Sequence, residues 1–234
     1  MTTRFLRVRC EIFKGWKSGE LLTLANYIDI DITSTMENLQ PKLIYLTKRN
    51  PGLTRAEFIA RWRLHGQLGI SLPRWRNIAR YVHVDLEQPA DACLCADYDG
   101  IGMIWHKSPA HRAAHVADRS SRGIMERDEA ETFAAPIADC CLIASEIVVH
   151  APDPRARWKL TRFAASNSPA LLPPSAEGYA RNHPLPPETS KPRGLDVALV
   201  EEFWFSTRSA AIVAAPWLAH GALVTLGREV QRYP

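Results

Sequence analysis

The residues best placed to do chemistry are a histidine set among aromatics. In EFIARWRLHGQLG, residues 57–69, Phe58, Trp62 and His65 recur at helical spacing. At about 100° per residue, Phe58 and His65 fall roughly 20° apart on the wheel and Trp62 about 40° from Phe58. His65 therefore points toward a sheet or helix edge rather than freely to water. It reads either as a core histidine bonded to a backbone carbonyl or as an acid–base in a dry cavity, where a pKa of about 6.5 is useful. Burial disfavours the charged ring, so the neutral tautomer would act as a base.

Tyr81 and His83 add a phenol and an imidazole to one face of a strand, by simple alternation. If that face lines an interior, they join the chemistry there; if it faces helices, Arg80 and Val82 line the interior instead, and spacing leaves both arrangements open. Tyr179 and Arg181 form the matching pair further on. The catalytic candidates are thus His65, His83 and Tyr81, and the substrate-binding candidates are Phe58, Trp62, Trp105, Tyr179 and Arg181. Plainer readings serve the other groups. His106, His111, His115 and His220 read as solvated helix or loop residues, and Asp99 as support for the turn around Gly100. Glu146 and Glu229 read as strand residues satisfied at a sheet edge, and Trp62, Trp75, Trp105 and Trp204 as core.

Several chemistries are excluded. Gly-rich nucleotide spacings and a G-x-S-x-G elbow are absent. HRAAH at 111–115 lacks the glutamate of a zinc-protease helix, and Cys93-x-Cys95 and Cys140–Cys141 miss zinc-site spacing. No metal and no cofactor are expected. Five cysteines, an odd count in close pairs, point to reduced thiols and a cytoplasmic protein. A net charge of +4 with no Lys/Arg-rich run gives no nucleic-acid partner. No apolar run approaches about 18 residues, so no membrane span is expected, and MTTRFLRVRC lacks the apolar stretch of a signal peptide.

The elements that must position these residues follow the rhythm that begins at Pro41. KLIYLTK (42–48) is a strand, broken by AsnProGly at 50–52. Thr54-x-x-Glu57 is a capping box that opens a helix from about Arg55 to Ile70, stopped before Pro73. Strands follow at 77–84 and 98–106, a helix at 108–120, a short helix at 126–133 and a strand at 141–150. That order is the split β-α-β unit, an α+β ferredoxin-like sheet with helices on one face and an apolar face left to cover. After the linker APDPRAR (151–157), residues 158–234 repeat four elements in order. Lys-Leu recurs at 159, and Glu229 matches Glu146. Three prolines in NSPALLPPSAEG leave no room for a counterpart of the His65 helix. The expectation is two ferredoxin-like halves, 41–150 and 158–234, whose antiparallel sheets pack face to face within one chain. Residues 1–40 read as an extension, poorly ordered or translated from a start upstream of Met36, with IleAspIleAsp at 28–31 alternating like an added edge strand.

KLIYLTKRNPGLTRAEFIARWRLHG resembles the opening of the EthD family. The likeness rests on Pro51, Gly52, Thr54, Glu57, Phe58, Trp62, His65 and Gly66. Tyr98-Asp99-Gly100, Phe133 and Glu146 extend it. Coverage is good over 41–150 and weaker over 157–233, which resembles a degenerate second copy. Two residues, Arg63 and Leu64, separate Trp62 from His65 where the family commonly has three, and Gln67 stands where proline often follows. The resemblance implies a dimeric α/β-barrel, closed here within one chain. Further pairing as a homodimer is neither required nor forbidden. It also implies a small, largely apolar organic molecule as ligand. Cofactor-free dehydration, cyclisation or isomerisation, or an accessory part in oxidative catabolism, would be the chemistry. A non-catalytic carrier and a haem-binding barrel are the alternatives.

Overall fold

The computed structural model describes residues 40–89, 91–186 and 194–233, so the readings of residues 1–39 lie outside the described residues. Eight antiparallel strands close a barrel. The first sheet is built from β1 (Pro41–Thr47), β2 (Ile78–Leu86), β3 (Gly100–His106) and β4 (Cys141–His150). The second is built from β5 (Trp158–Ala164), β6 (Gly178–Pro184), β7 (Leu199–Phe205) and β8 (Ala222–Tyr233). The order around the barrel is β1-β3-β2-β8-β5-β7-β6-β4, and the sheets meet where β2 pairs with β8 and β4 with β6. The α+β architecture with facing sheets is as the strand order predicts.

The helices lie outside. Helix α1 (Arg55–Ser71) opens with the expected capping box. Glu57 N–H donates to Thr54 Oγ1, and Thr54 N–H donates to Glu57 at 2.7 Å. Helices α2 (Pro109–Ala117) and α3 (Arg119–Thr132) divide at Asp118, whose carboxylate caps α3 by accepting from Ser121 N–H. Asp118 therefore starts α3 well before Glu126, where apolar spacing alone begins a helix. Helix α4 (Arg208–Leu218) covers the second sheet, and no helix lies between β5 and β6. Among the described residues no helix is long and apolar enough to cross a membrane.

Two glycines set how closely α1 and β1 approach β3. A Cβ on Gly100 would sit 2.4 Å from the Trp62 ring, and one on Gly102 would sit 1.9 Å from Tyr45. Both rings lie flat on the strand only because β3 reads Gly-x-Gly.

The barrel interior is filled. Ile44, Leu46, Val82, Val84, Leu86, Ile101 and Met103 pack there with Phe163 and Val200. At one end sits a buried ion network. Glu202 accepts from Lys42 and, at 2.7 Å, from Lys159; Lys42 reaches Glu146 at 2.6 Å, and Lys159 also pairs with Glu229. Trp105 Nε1–H donates to Glu146 at 2.7 Å, and Trp204 Nε1–H donates to Glu229 at 2.9 Å. Arg80 adds a third cation at 3.1 Å from Glu229. Burial would raise the Glu202 carboxyl, but the two lysines outweigh it and hold the group well below the usual range. Glu146 and Glu229 thus line the barrel as ion-pair partners rather than sitting satisfied at an edge. Among the described residues, these buried side chains pack into the space between the sheets where the ligand was expected.

Candidate functional site

Open space lies on the other side of the first sheet. A cleft of about 870 Å³ runs between the outer faces of β1, β2 and β3 and the helices α1, α2 and α3. Leu43, Tyr45, Tyr81, Ile104 and Trp75 supply an apolar wall; His65, His106, His115, Arg74 and Glu129 bring polar groups. Tyr81 and His83 face the helices, and Arg80 and Val82 face the barrel interior, which resolves the strand-face question left open by alternation.

His65 is buried on α1 and reaches the cleft. Its Nδ1 lies 2.6 Å from Asp128 Oδ2 on α3, and Arg61 holds the other Asp128 oxygen at 2.5 Å. A carboxylate only accepts, so Nδ1 carries the proton and Nε2 is the basic nitrogen. Burial lowers the His65 pKa, with Asp128 offsetting part of the effect. Asp128 itself stays ionised: burial acts to raise its pKa, and hydrogen bonds from Arg61 and His65 reverse that. The result is an oriented, neutral base backed by a carboxylate.

A chain of donors leads to the opposite wall. Arg63 Nη1 donates to His83 Nδ1 at 2.6 Å, so the ring proton sits on Nε2, 2.5 Å from Tyr81 Oη. Tyr81 and Tyr45 hydroxyls are 3.1 Å apart, and Trp62 Nε1–H donates to Tyr45 Oη at 3.2 Å. Counting donors, one phenolic proton remains whichever tyrosine donates to the other, and both rings line the cleft. Burial raises both phenol pKa values, so the proton stays in place at neutral pH. His83 lies behind Tyr81 with its ring stacked on Trp62 at 3.8 Å. It positions Tyr81 and does not line the cleft.

The remaining candidates separate. Phe58 stacks on Trp62 beneath the site, at 5.4 Å. Trp105 lies inside the barrel with Lys42 over its ring at 4.3 Å, away from the cleft. Tyr179 and Arg181 are on the second sheet, where the Tyr179 hydroxyl donates to Glu201 and accepts from Arg181 Nε at 2.7 Å. Tyr45, Asp128 and Trp75 are site residues that sequence reading missed, as are His106 and His115. Read as solvated, His106 and His115 are in fact buried in the cleft wall with rings 5.2 Å apart. Among the described residues no cluster of His, Cys, Asp and Glu could hold a metal ion.

Burial, reinforced by Arg112, pushes His106 down to about 3; burial and Arg74 push His115 down to about 4. Both gain protons in the unfolded chain before they do in the native one. Stability is therefore highest above pH 6.5 and falls as pH drops toward 4, with a slope approaching about 1.4 kcal/mol per pH unit for each histidine. Thermal melts at pH 7, 6 and 5 should show Tm falling; a flat Tm over that range would contradict the buried, neutral pair.

No curated protein matches the chain. Its fold is similar to that of an anthrone oxidase-like protein, with 10% identity, 83% of this chain and 93% of that one covered, and a TM-score of 0.51. It is also similar to a variant chlorite dismutase from Candidatus Nitrospira defluvii, with 8% identity, 80% and 90% covered, and a TM-score of 0.46. At such identities the likeness concerns the fold alone. The family model for the EthD domain matches residues 50–137, the span that carries α1, β2, β3, α2 and α3. The stretch that builds most of the cleft, including the His65–Asp128 pair, is the one that the EthD-domain model matches.

Proposed function

We propose that the cleft binds a small, largely apolar organic molecule and that the protein moves a proton on it without a cofactor, as in dehydration, cyclisation or isomerisation. One observation supports this reading: His65, oriented through Nδ1 by Asp128, and the hydrogen-bonded pair Tyr45 and Tyr81, which holds a spare phenolic proton, line the same cleft. A base that takes a proton next to a carbonyl needs a donor for the enolate oxygen that forms. His65 takes the C–H proton; the tyrosine hydroxyl hydrogen-bonds the developing oxyanion; proton return from His65 completes the cycle.

The site is single in this account. We read the chain as a duplication of residues 41–150 in residues 158–234, in which Arg162 and Glu201 replace Tyr45 and Gly102. Arg162 donates to Glu201 at 2.5 Å, so an ion pair stands at the register positions that Tyr45 and Gly102 hold in the first sheet. Deuterium exchange into 2-tetralone, an apolar ketone with acidic α-protons, tests the reading by NMR. Exchange should exceed the buffer rate with the native protein and return to it with His65→Ala. Exchange at the buffer rate with native protein, together with tight binding of the ketone, would make the protein a carrier instead. A Soret band on adding haemin, lost in His65→Ala, would favour the haem reading.

A further inference from the structure

His106 ends β3 in the wall of the cleft and is fully buried. Its Nδ1 lies 3.2 Å from the Pro41 carbonyl, which only accepts, so Nδ1 carries the ring proton. Nε2 is then a bare lone pair, buried and without a hydrogen-bond partner. Two other cleft-lining groups are in the same condition with the opposite polarity: Trp75 Nε1–H and Arg74 Nε–H are buried donors with no acceptor. The three belong to one wall. His115 packs edge-on to His106 at 5.2 Å and hydrogen-bonds the Arg74 carbonyl at 3.2 Å, while Trp75 packs edge-on to Tyr81 at 5.2 Å.

Buried polar groups are normally paired, because an unpaired one forfeits its bonds to water and gains none. An acceptor and two donors left open in one cleft specify what a ligand must bring. A ketone, an ether or a carboxylate offers only lone pairs, which suit Trp75 and Arg74 and give His106 nothing. A hydroxyl offers a proton and keeps lone pairs for a donor. We infer that the ligand of this cleft carries a hydroxyl group, which donates to His106 Nε2, and that Trp75 and Arg74 donate to ligand oxygens. His106 is thereby a specificity residue, separate from His65. The inference rests on the cleft being the binding site, as proposed above, and is independent of whether His65 acts as a base.

Isothermal titration of the full chain with 1-naphthol, 1-methoxynaphthalene and naphthalene tests it, since the three share a ring system and only the first donates a hydrogen bond. Native protein should bind 1-naphthol at least tenfold more tightly than the other two. His106→Asn keeps an N–H for the Pro41 carbonyl and has no atom where Nε2 was; it should bring the three affinities within about threefold while melting like the native protein. Val213→Ala, exposed on α4 and outside the cleft, should keep the tenfold preference. Equal affinities in the native protein, or a preference that survives His106→Asn, would overturn the inference, and the native comparison decides even if that variant does not fold. If none of the three binds, this inference and the cleft as ligand site fall together. If the preference holds and 2-tetralone binds without exchanging, only the proton-transfer reading falls.

Discussion

Replacing His65 by alanine is expected to lower the rate of proton exchange in an enolisable ligand by at least a hundredfold, because a positioned general base contributes about 10²–10⁴. The loss should appear in kcat more than in KM: His65 is one of many cleft-lining side chains, but its Nε2 is the oriented base. The acid limb of the native rate profile should lie below pH 6.5, since burial holds the ring neutral and Asp128 only partly restores its affinity for a proton. Asp128→Asn removes that partial restoration, so the limb should move to still lower pH while the rate falls. A limb that moves upward would mean that Asp128 does not stabilise the charged ring. Tyr45→Phe and Tyr81→Phe combined should slow exchange with little change in the limb, because the two changes remove both phenolic protons and leave the base intact.

The second large effect is on stability. Glu202 is shared by two buried lysines in the barrel, with Asn182 Nδ2 a further donor at 2.9 Å. Glu202→Leu leaves Lys42 and Lys159 inside the barrel without their common counter-charge. Breaking a buried pair in this way costs about 3–5 kcal/mol, or roughly 6–20 °C in Tm for a domain of this size. The exposed pair Arg122–Glu126 on α3 makes the contrast, and Glu126→Ala should leave Tm nearly unchanged. Replacing the two lysines together with Glu146, Glu202 and Glu229 by apolar residues should recover much of the loss, since the carboxylates that the lysines neutralise then go with them and Arg80 is partly exposed. If Glu202→Leu alone melts within about 2 °C of the native protein, the network is not the closed, dry cluster described here.

The fold was largely legible in the sequence, because strands and helices announce themselves through local pattern. Thr54 and Glu57 mark the start of α1, and Pro73 follows its end; the Lys-Leu and Glu recurrences place matching strands in the two sheets. The candidate site was legible only in part. His65 could be aimed by a helical wheel, and Tyr81 and His83 could be put on one face. Which face looks outward depends on the opposite sheet, and the charged groups of the ion network at the barrel end come from six different strands. Asp128 lies 63 positions from His65 in sequence, and no local pattern joins them. His106 and His115 misled for a related reason. Each looks like a polar residue at an element end, and each is bonded to a backbone carbonyl distant in sequence, Pro41 for His106 and Arg74 for His115, brought over by chain folding. Gly102 is the one signal that could have revealed Tyr45, since a glycine in the middle of a strand marks a close approach.

The central claim is that the outer cleft of the first sheet, and not the barrel interior, holds the ligand. Native mass spectrometry of protein purified from its own host, compared with an Ile104→Trp variant that fills the cleft wall, tests it most directly. The account predicts a bound small molecule on the native chain and its loss from Ile104→Trp at an unchanged fold. A molecule retained in full by the filled variant would contradict it.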